Sequence, residues 1–213
     1  MSAFFHTLGI TDVWQLIAAT VVFLVLPGAG TFCILTCAGK AGLRGGFASV
    51  LGVMLGDAVL MFLAAIGVAA LLTANPLVFK GVQYLGAAYL AFLGCKLLFA
   101  KKNGNAGVES DSGLASGGNF TRGFLVTLVN PKSIIFYMAF FPLFIDPAAH
   151  RGSLTFLAMG AIISSCTLIY GSLLVLLGNT AAKRLGQNRR IAAFASRAAG
   201  MFLIGFGIKL TTN

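Results

Sequence analysis

Leu128-Val129-Asn130-Pro131-Lys132 lies near the middle of a long apolar segment, and it puts an amide, a helix breaker and a charge where a lipid-facing helix tolerates none of them. Proline removes one backbone donor and frees a carbonyl. An ammonium at bilayer depth costs from about 3 to more than about 10 kcal/mol unless it is paired or hydrated. The stretch therefore predicts a site inside a membrane-embedded bundle rather than a passive span. The same reasoning applies to Asp57, the one carboxylate inside any apolar segment of this chain.

Working outward, the composition defines the class. With 58% hydrophobic and 9% charged residues over 213 residues, and a mean hydropathy of +0.95, the chain departs far from soluble domains. Six apolar stretches run approximately Val13 to Ala38, Phe47 to Thr73, Leu77 to Phe99, Gly123 to Ile145, Leu154 to Asn179 and Ile191 to Leu210. Each is near the roughly 20 residues that cross a hydrocarbon core of about 30 Å. Strand-like alternation is absent, and barrel strands need only about 9 to 11 residues. The expected fold is an all-α membrane protein with six transmembrane helices, forming a single transmembrane domain over residues 1–213.

No lysine or arginine precedes Lys40, so the n-region of a cleavable signal is missing and the N-terminus should be retained. Cys33, Cys37, Cys95 and Cys166 all lie in apolar segments, where free cysteine behaves as a small hydrophobe. The net charge of +10 follows the positive-inside rule. Lys40 and Arg44, Lys101, Lys102 and Arg122, and Lys183, Arg184, Arg189 and Arg190 fall in the first, third and fifth connections, which should face the cytoplasm. Only Lys80, Arg151 and Lys209 lie near the opposite ends, so both termini are placed outside. These juxtamembrane charges have no aromatic interleaving, which argues against nucleic acid as a partner.

Asn103 to Asn119 is rich in Gly, Ser and Asn and reads as the body of a cytoplasmic linker over 100–121. It separates half-repeats of about 13–99 and 122–212, each with three segments. Because three is odd, the second half enters the membrane with opposite orientation, giving a 3+3 inverted repeat. Leu26-Pro27-Gly28 in segment one corresponds to Asn130-Pro131-Lys132 in segment four, so helices one and four should be broken or kinked. Taken singly, such prolines are common kinks in membrane helices. Their correspondence across the halves points to a midplane site built from broken helices, whose freed carbonyls and amides could hold a zwitterion's two charged ends.

Asp57 and Lys132 each lie about 10 residues, or roughly 15 Å, from the cytoplasmic face, so they can meet near the midplane. A static ion pair fastening two helices is the plain alternative. Asp57 follows Gly52-Val53-Met54-Leu55-Gly56, a small-residue face that lets helices approach closely. Tyr137 lies deep in segment four and Gln83 in segment three, and both are candidate polar contacts. Tyr84 and Tyr89 read as interfacial belt residues. Cys33 and Cys37 share a helix face at a spacing suited to a soft metal, but without further ligands they read as packing. His6 and His150 read as solvated, and the Asn119-Phe120-Thr121 sequon falls on the cytoplasmic side.

Several motifs together resemble the lysine exporter and homoserine/threonine efflux superfamily, and within it the leucine exporter type. They are Leu26-Pro27-Gly28, Gly52 through Gly56-Asp57, Gln83-Tyr84-Leu85-Gly86-Ala87-Ala88-Tyr89-Leu90 followed by Leu93-Gly94, and Leu128-Val129-Asn130-Pro131-Lys132 followed by Phe140-Phe141-Pro142-Leu143-Phe144. The resemblance covers almost the whole chain. It implies a small carrier of the bacterial inner membrane that exports amino acids in exchange for protons. Its partners would be the amino acid, protons and lipid, with a homo-oligomer left open. It implies no cofactor and no resident metal. The chain departs from the family's first motif, which usually continues with a second proline and a polar residue, by having Ala29-Gly30-Thr31.

On this reading the substrate's charged ends are held at the breaks around Pro27-Gly28 and Asn130-Pro131. Lys132 attracts the carboxylate, and Asp57 carries the proton. The side-chain pocket is apolar and suits leucine-like substrates. Two rivals are a metal-ion exporter, for which Asp57 and Asn130 are a thin ligand set beside a lysine, and a membrane thiol/disulfide electron carrier. The second would need paired cysteines on corresponding helices, and segment four has none.

Overall fold

The computed structural model of the chain describes residues 2–26, 28–74, 77–86, 88, 118–146, 148–149, 151–187 and 201. Helices α1 (Ser2–Thr7), α2 (Val13–Val25), α3 (Ala29–Ala74), α5 (Asn119–Leu128), α6 (Pro131–Phe144) and α7 (Ser153–Gln187) are joined by α4 over residues 77–86. The described part is all-helical apart from a single bridge between Ile10 and Ile145. Pro27, Tyr89, Cys95, His150, most of the expected linker and, except for Met201, the sixth apolar segment lie outside the described residues.

The 46 residues of α3 do not form one rod. Ala41 (φ −120°, ψ 15°) and Gly42 (φ 65°, ψ −160°) leave the helical conformation, and the chain folds back on itself there. The reversal brings Cys33 Sγ to 3.5 Å from Ser49 Oγ, whereas 16 residues of straight helix would separate them by about 24 Å. The apolar stretch from Ala29 to Leu71 is thus two antiparallel arms, 29–40 and 43–74. Their tight turn is the connection expected between Lys40 and Arg44. Gly42 makes it possible, because its left-handed φ is strained for any residue with a Cβ.

Helices α3 and α7 are apolar over lengths that cross a membrane, and α5 with α6 does so as a pair bent by 59°. α5 begins at Asn119, ahead of the apolar run, so the end of the expected linker is helical. Packing explains the early start. A Cβ on Gly52 would run into the Phe120 carbonyl, and one on Gly123 into the Ser49 carbonyl. The second arm of α3 and the first turns of α5 therefore meet backbone to backbone, and the small-residue face ending at Gly56 is their interface. α7 continues to Gln187, beyond the apolar run, and carries Lys183 and Arg184 as part of the helix.

The core is built around α6. Phe136, Phe140 and Phe144 recur every four residues and form a column, Phe136 stacked on Phe140 at 4.2 Å and Phe144 tilted against Phe140 at 4.5 Å between centroids. Phe23 of α2 extends the column, stacking on Phe136 at 3.6 Å. At one end, the turn before α2 is tied to the end of α6, with Thr11 N donating to Phe144 O and Asp146 N to Gly9 O. Thr155 of α7 adds its hydroxyl to the Leu8 carbonyl at 2.5 Å. Large apolar side chains such as Phe62, Leu157 and Ile169 stay exposed, a surface suited to hydrocarbon.

Candidate functional site

Both interior proline motifs mark a real interruption. α2 stops at Val25, Leu26 turns extended (φ −64°, ψ 114°), and α3 starts at Ala29. α5 stops at Leu128, and extended Asn130 (φ −74°, ψ 108°) is the N-cap of α6, its side-chain oxygen accepting from Lys132 N at 3.0 Å. Pro131 is then the first residue of α6, where its missing N–H leaves nothing unsatisfied and its fixed φ is already helical. The sequence places a break or kink here, and the structure makes Pro131 the start of a new helix. The Asn130 amide also donates to Ser133 Oγ at 3.1 Å, locking the cap.

Lys132 reaches across to the other break. Its Nζ donates to Leu26 O at 2.9 Å and to Phe23 O at 3.2 Å, and it lies 4.4 Å from the Phe23 ring centroid. A helix that ends inside the bundle leaves its last carbonyls without partners, and the negative end of its dipole favours a cation there. The ammonium supplies both. Gly28 lies beside it, where a Cβ would sit in ordinary contact, 3.4 Å from Nζ.

Asp57, on the second arm of α3, is buried and shares a hydrogen bond with the Tyr137 hydroxyl. Tyr137 is itself enclosed by aromatic edges, 5.4 Å from Phe136 and 6.3 Å from Phe141. The direct Asp57–Lys132 ion pair expected from their equal depth is therefore replaced by separate neutral partners, a tyrosine hydroxyl and two backbone carbonyls. Depth along the axis set how far each charge lies from the membrane surface, but helix rotation decided what each one faces.

The two charges still share one cavity of about 50 Å³, room for a few waters. Leu26 and Gly28 of the first break line it, with Asn130, Lys132 and Ser133 of the second, and Asp57 of α3. Phe23, Leu24, Ile34 and Val53 give it an apolar side. Pro131 and Tyr137 are not part of this lining, Pro131 being exposed and Tyr137 buried in the aromatic core. Gln83 lies elsewhere, its amide donating to Pro142 O at 2.7 Å. That carbonyl belongs to the last turn of α6, where Asp146 N is diverted to Gly9 O, so Gln83 caps a helix end rather than facing the cavity.

Five hydroxyl residues of the lining were not among the site candidates read from the sequence: Thr31, Thr127, Ser133, Thr167 and Tyr170. Tyr170 of α7 shares a hydrogen bond with Thr31 of α3. Thr127 and Thr167 are buried with hydroxyl oxygens that have no hydrogen-bond partner. Nothing in an isolated sequence separates them from the threonines that bond their own helix, such as Thr20 to Leu16 O at 2.7 Å.

Two interrupted helices whose ends enclose a charged, partly apolar cavity within a membrane bundle define a carrier-like membrane protein. The chain belongs to the LysE type translocator family, whose model matches residues 21–213. It is 38% identical to a membrane protein of Pseudomonas aeruginosa over 97% of both chains. It is 32% identical, over 98% of both chains, to proteins named leucine efflux protein in Salmonella typhimurium and Klebsiella pneumoniae. No solved structure matches the chain.

Proposed function

We propose that the protein is a secondary exporter of neutral, apolar amino acids of the leucine class, moving them out across the bacterial inner membrane in exchange for protons. The observation that carries this reading is the single cavity in which Asp57 and Lys132 sit between two helix breaks. A zwitterion needs an acid and a base held apart, and an apolar wall suits its side chain. The named relatives support the choice of substrate.

In the mechanism, Lys132 is already fixed by two carbonyls and offers its remaining donor to the substrate carboxylate. The N-terminus of α6 adds the positive end of its dipole at the same place. Asp57 receives the substrate ammonium on one side of the membrane and a proton on the other. One carboxylate cannot hold both, and this competition makes the exchange obligatory. Opening alternates as one inverted repeat rocks against the other, with Lys132 making and breaking its bridge between the breaks.

The test is uptake of labelled leucine into inverted vesicles, where export appears as accumulation. Accumulation should require an inward-acid gradient and should collapse when the gradient is dissipated. Asp57→Asn keeps an acceptor for Tyr137 but cannot carry a proton, so gradient-driven accumulation should fall to background while the protein inserts normally. Full accumulation by Asp57→Asn would remove the carboxylate from coupling, and no transport of any amino acid by the parent would overturn the export reading.

A further inference from the structure

The hydroxyls of Thr127 and Thr167 are each 2% exposed as residues, and their oxygens are shut off from the surface without a partner. Buried hydroxyls are nearly always hydrogen-bonded, and two unpartnered ones on residues that line one cavity mark a place where a partner arrives. We propose that Thr127 and Thr167 are substrate-binding residues that, with Asp57, form the subsite for the α-ammonium of the transported amino acid. The inference rests on the amino-acid reading above and names which part of the substrate these residues hold.

Three features assign the ammonium rather than the carboxylate. Asp57 is the acid of this lining, and Thr127 lies against its backbone, since a Cβ on neighbouring Gly56 would come within 2.7 Å of Thr127 Cβ. Thr127 is in the last turn of α5, where the helix presents its negative end. The alternative cation site, the exposed carbonyls ending α2, is already filled by Lys132. That places the cavity's positive pole at the start of α6, so the carboxylate goes there. Hydroxyls accept hydrogen bonds from an ammonium while donating to Asp57 or water, and they serve any α-amino acid whatever its side chain.

The experiment compares binding and stability on the full chain purified in detergent. Probes are leucine, 4-methylpentanoate, which lacks the amino group, and 3-methylbutylamine, which lacks the carboxylate. Thr127→Val and Thr167→Val should each raise the Kd for leucine and for 3-methylbutylamine roughly ten- to a hundredfold, the range of a hydrogen bond to a charged group. Binding of 4-methylpentanoate should be unchanged. Thr127→Ser and Thr167→Ser should keep most of the affinity. The melting temperature of the empty Val variants should hold or rise, because an unpartnered hydroxyl is replaced by a methyl of similar shape. Thr20→Val, which loses a formed bond, should melt lower.

If both Val variants bind leucine as tightly as the parent, the hydroxyls serve only water and the proposal is overturned. If they instead weaken 4-methylpentanoate and spare 3-methylbutylamine, the assignment to the ammonium is wrong. A parent that binds none of the neutral amino acids overturns the amino-acid reading itself, and this inference with it.

Discussion

At the residue scale, Lys132 shows how one side chain can be structural and functional together. Its ammonium satisfies two carbonyls that the end of α2 leaves open and lies over the Phe23 ring. Lys132→Met should therefore lower stability by about 1–3 kcal/mol, the scale of leaving buried acceptors unmatched, and also abolish leucine accumulation. Since Asp57 bonds Tyr137 instead of Lys132, the two charges should not act as a pair in stability. The losses for Asp57→Asn and Lys132→Met, measured by thermal melting in detergent, should add within about 0.5 kcal/mol. Strong rescue in the double variant would mean that the charges pair after all.

At the element scale, the breaks and the glycine interface have different origins. Each break is encoded locally, by Leu26 leaving the helix and by the Asn130 cap followed by Pro131 at the start of α6. The close approach of α3 and α5 depends on glycines whose importance appears only when the helices meet. A Cβ at Gly52 would strike the Phe120 backbone, which cannot swing aside as a side chain would. Gly52→Ala should cost at least about 1–3 kcal/mol, as overpacking in a dense core does. Gly67→Ala, with open space around it inside a helix, should melt like the parent or somewhat higher. Equal melting of the two variants would mean that the interface is looser than its geometry.

At the scale of the whole molecule, the tight reversal at Ala41–Gly42 and the tie between Leu8–Thr11 and α6–α7 lie at different places in the bundle. The positive-inside rule puts the Lys40–Arg44 turn in the cytoplasm and the region around Ala149 outside. A cysteine replacing Ala149 should react with an impermeant maleimide in intact cells, and one replacing Arg44 only after permeabilisation. The native thiols of Cys33 and Cys37 are buried and should stay silent. The reverse labelling pattern would invert the orientation.

The membrane class, the helical fold, the places where the first and fourth apolar segments break and the choice of Asp57 and Lys132, which line one cavity, were all legible in the sequence. Each follows from local composition: apolar length, a proline, or a charge where hydrocarbon is expected. The partners of those charges were not legible. Whether Lys132 faces Asp57 or the end of α2 depends on the rotation of α6 about its axis, and the stacking of Phe23 on Phe136 holds that rotation. The same holds for Thr127 and Thr167, which resemble every other threonine in an apolar run until packing denies them a partner. Local chemistry wrote the elements and their interruptions, and only tertiary packing decided which polar atoms face one another, because that pairing depends on contacts between residues more than 70 positions apart, as from Leu26 to Lys132.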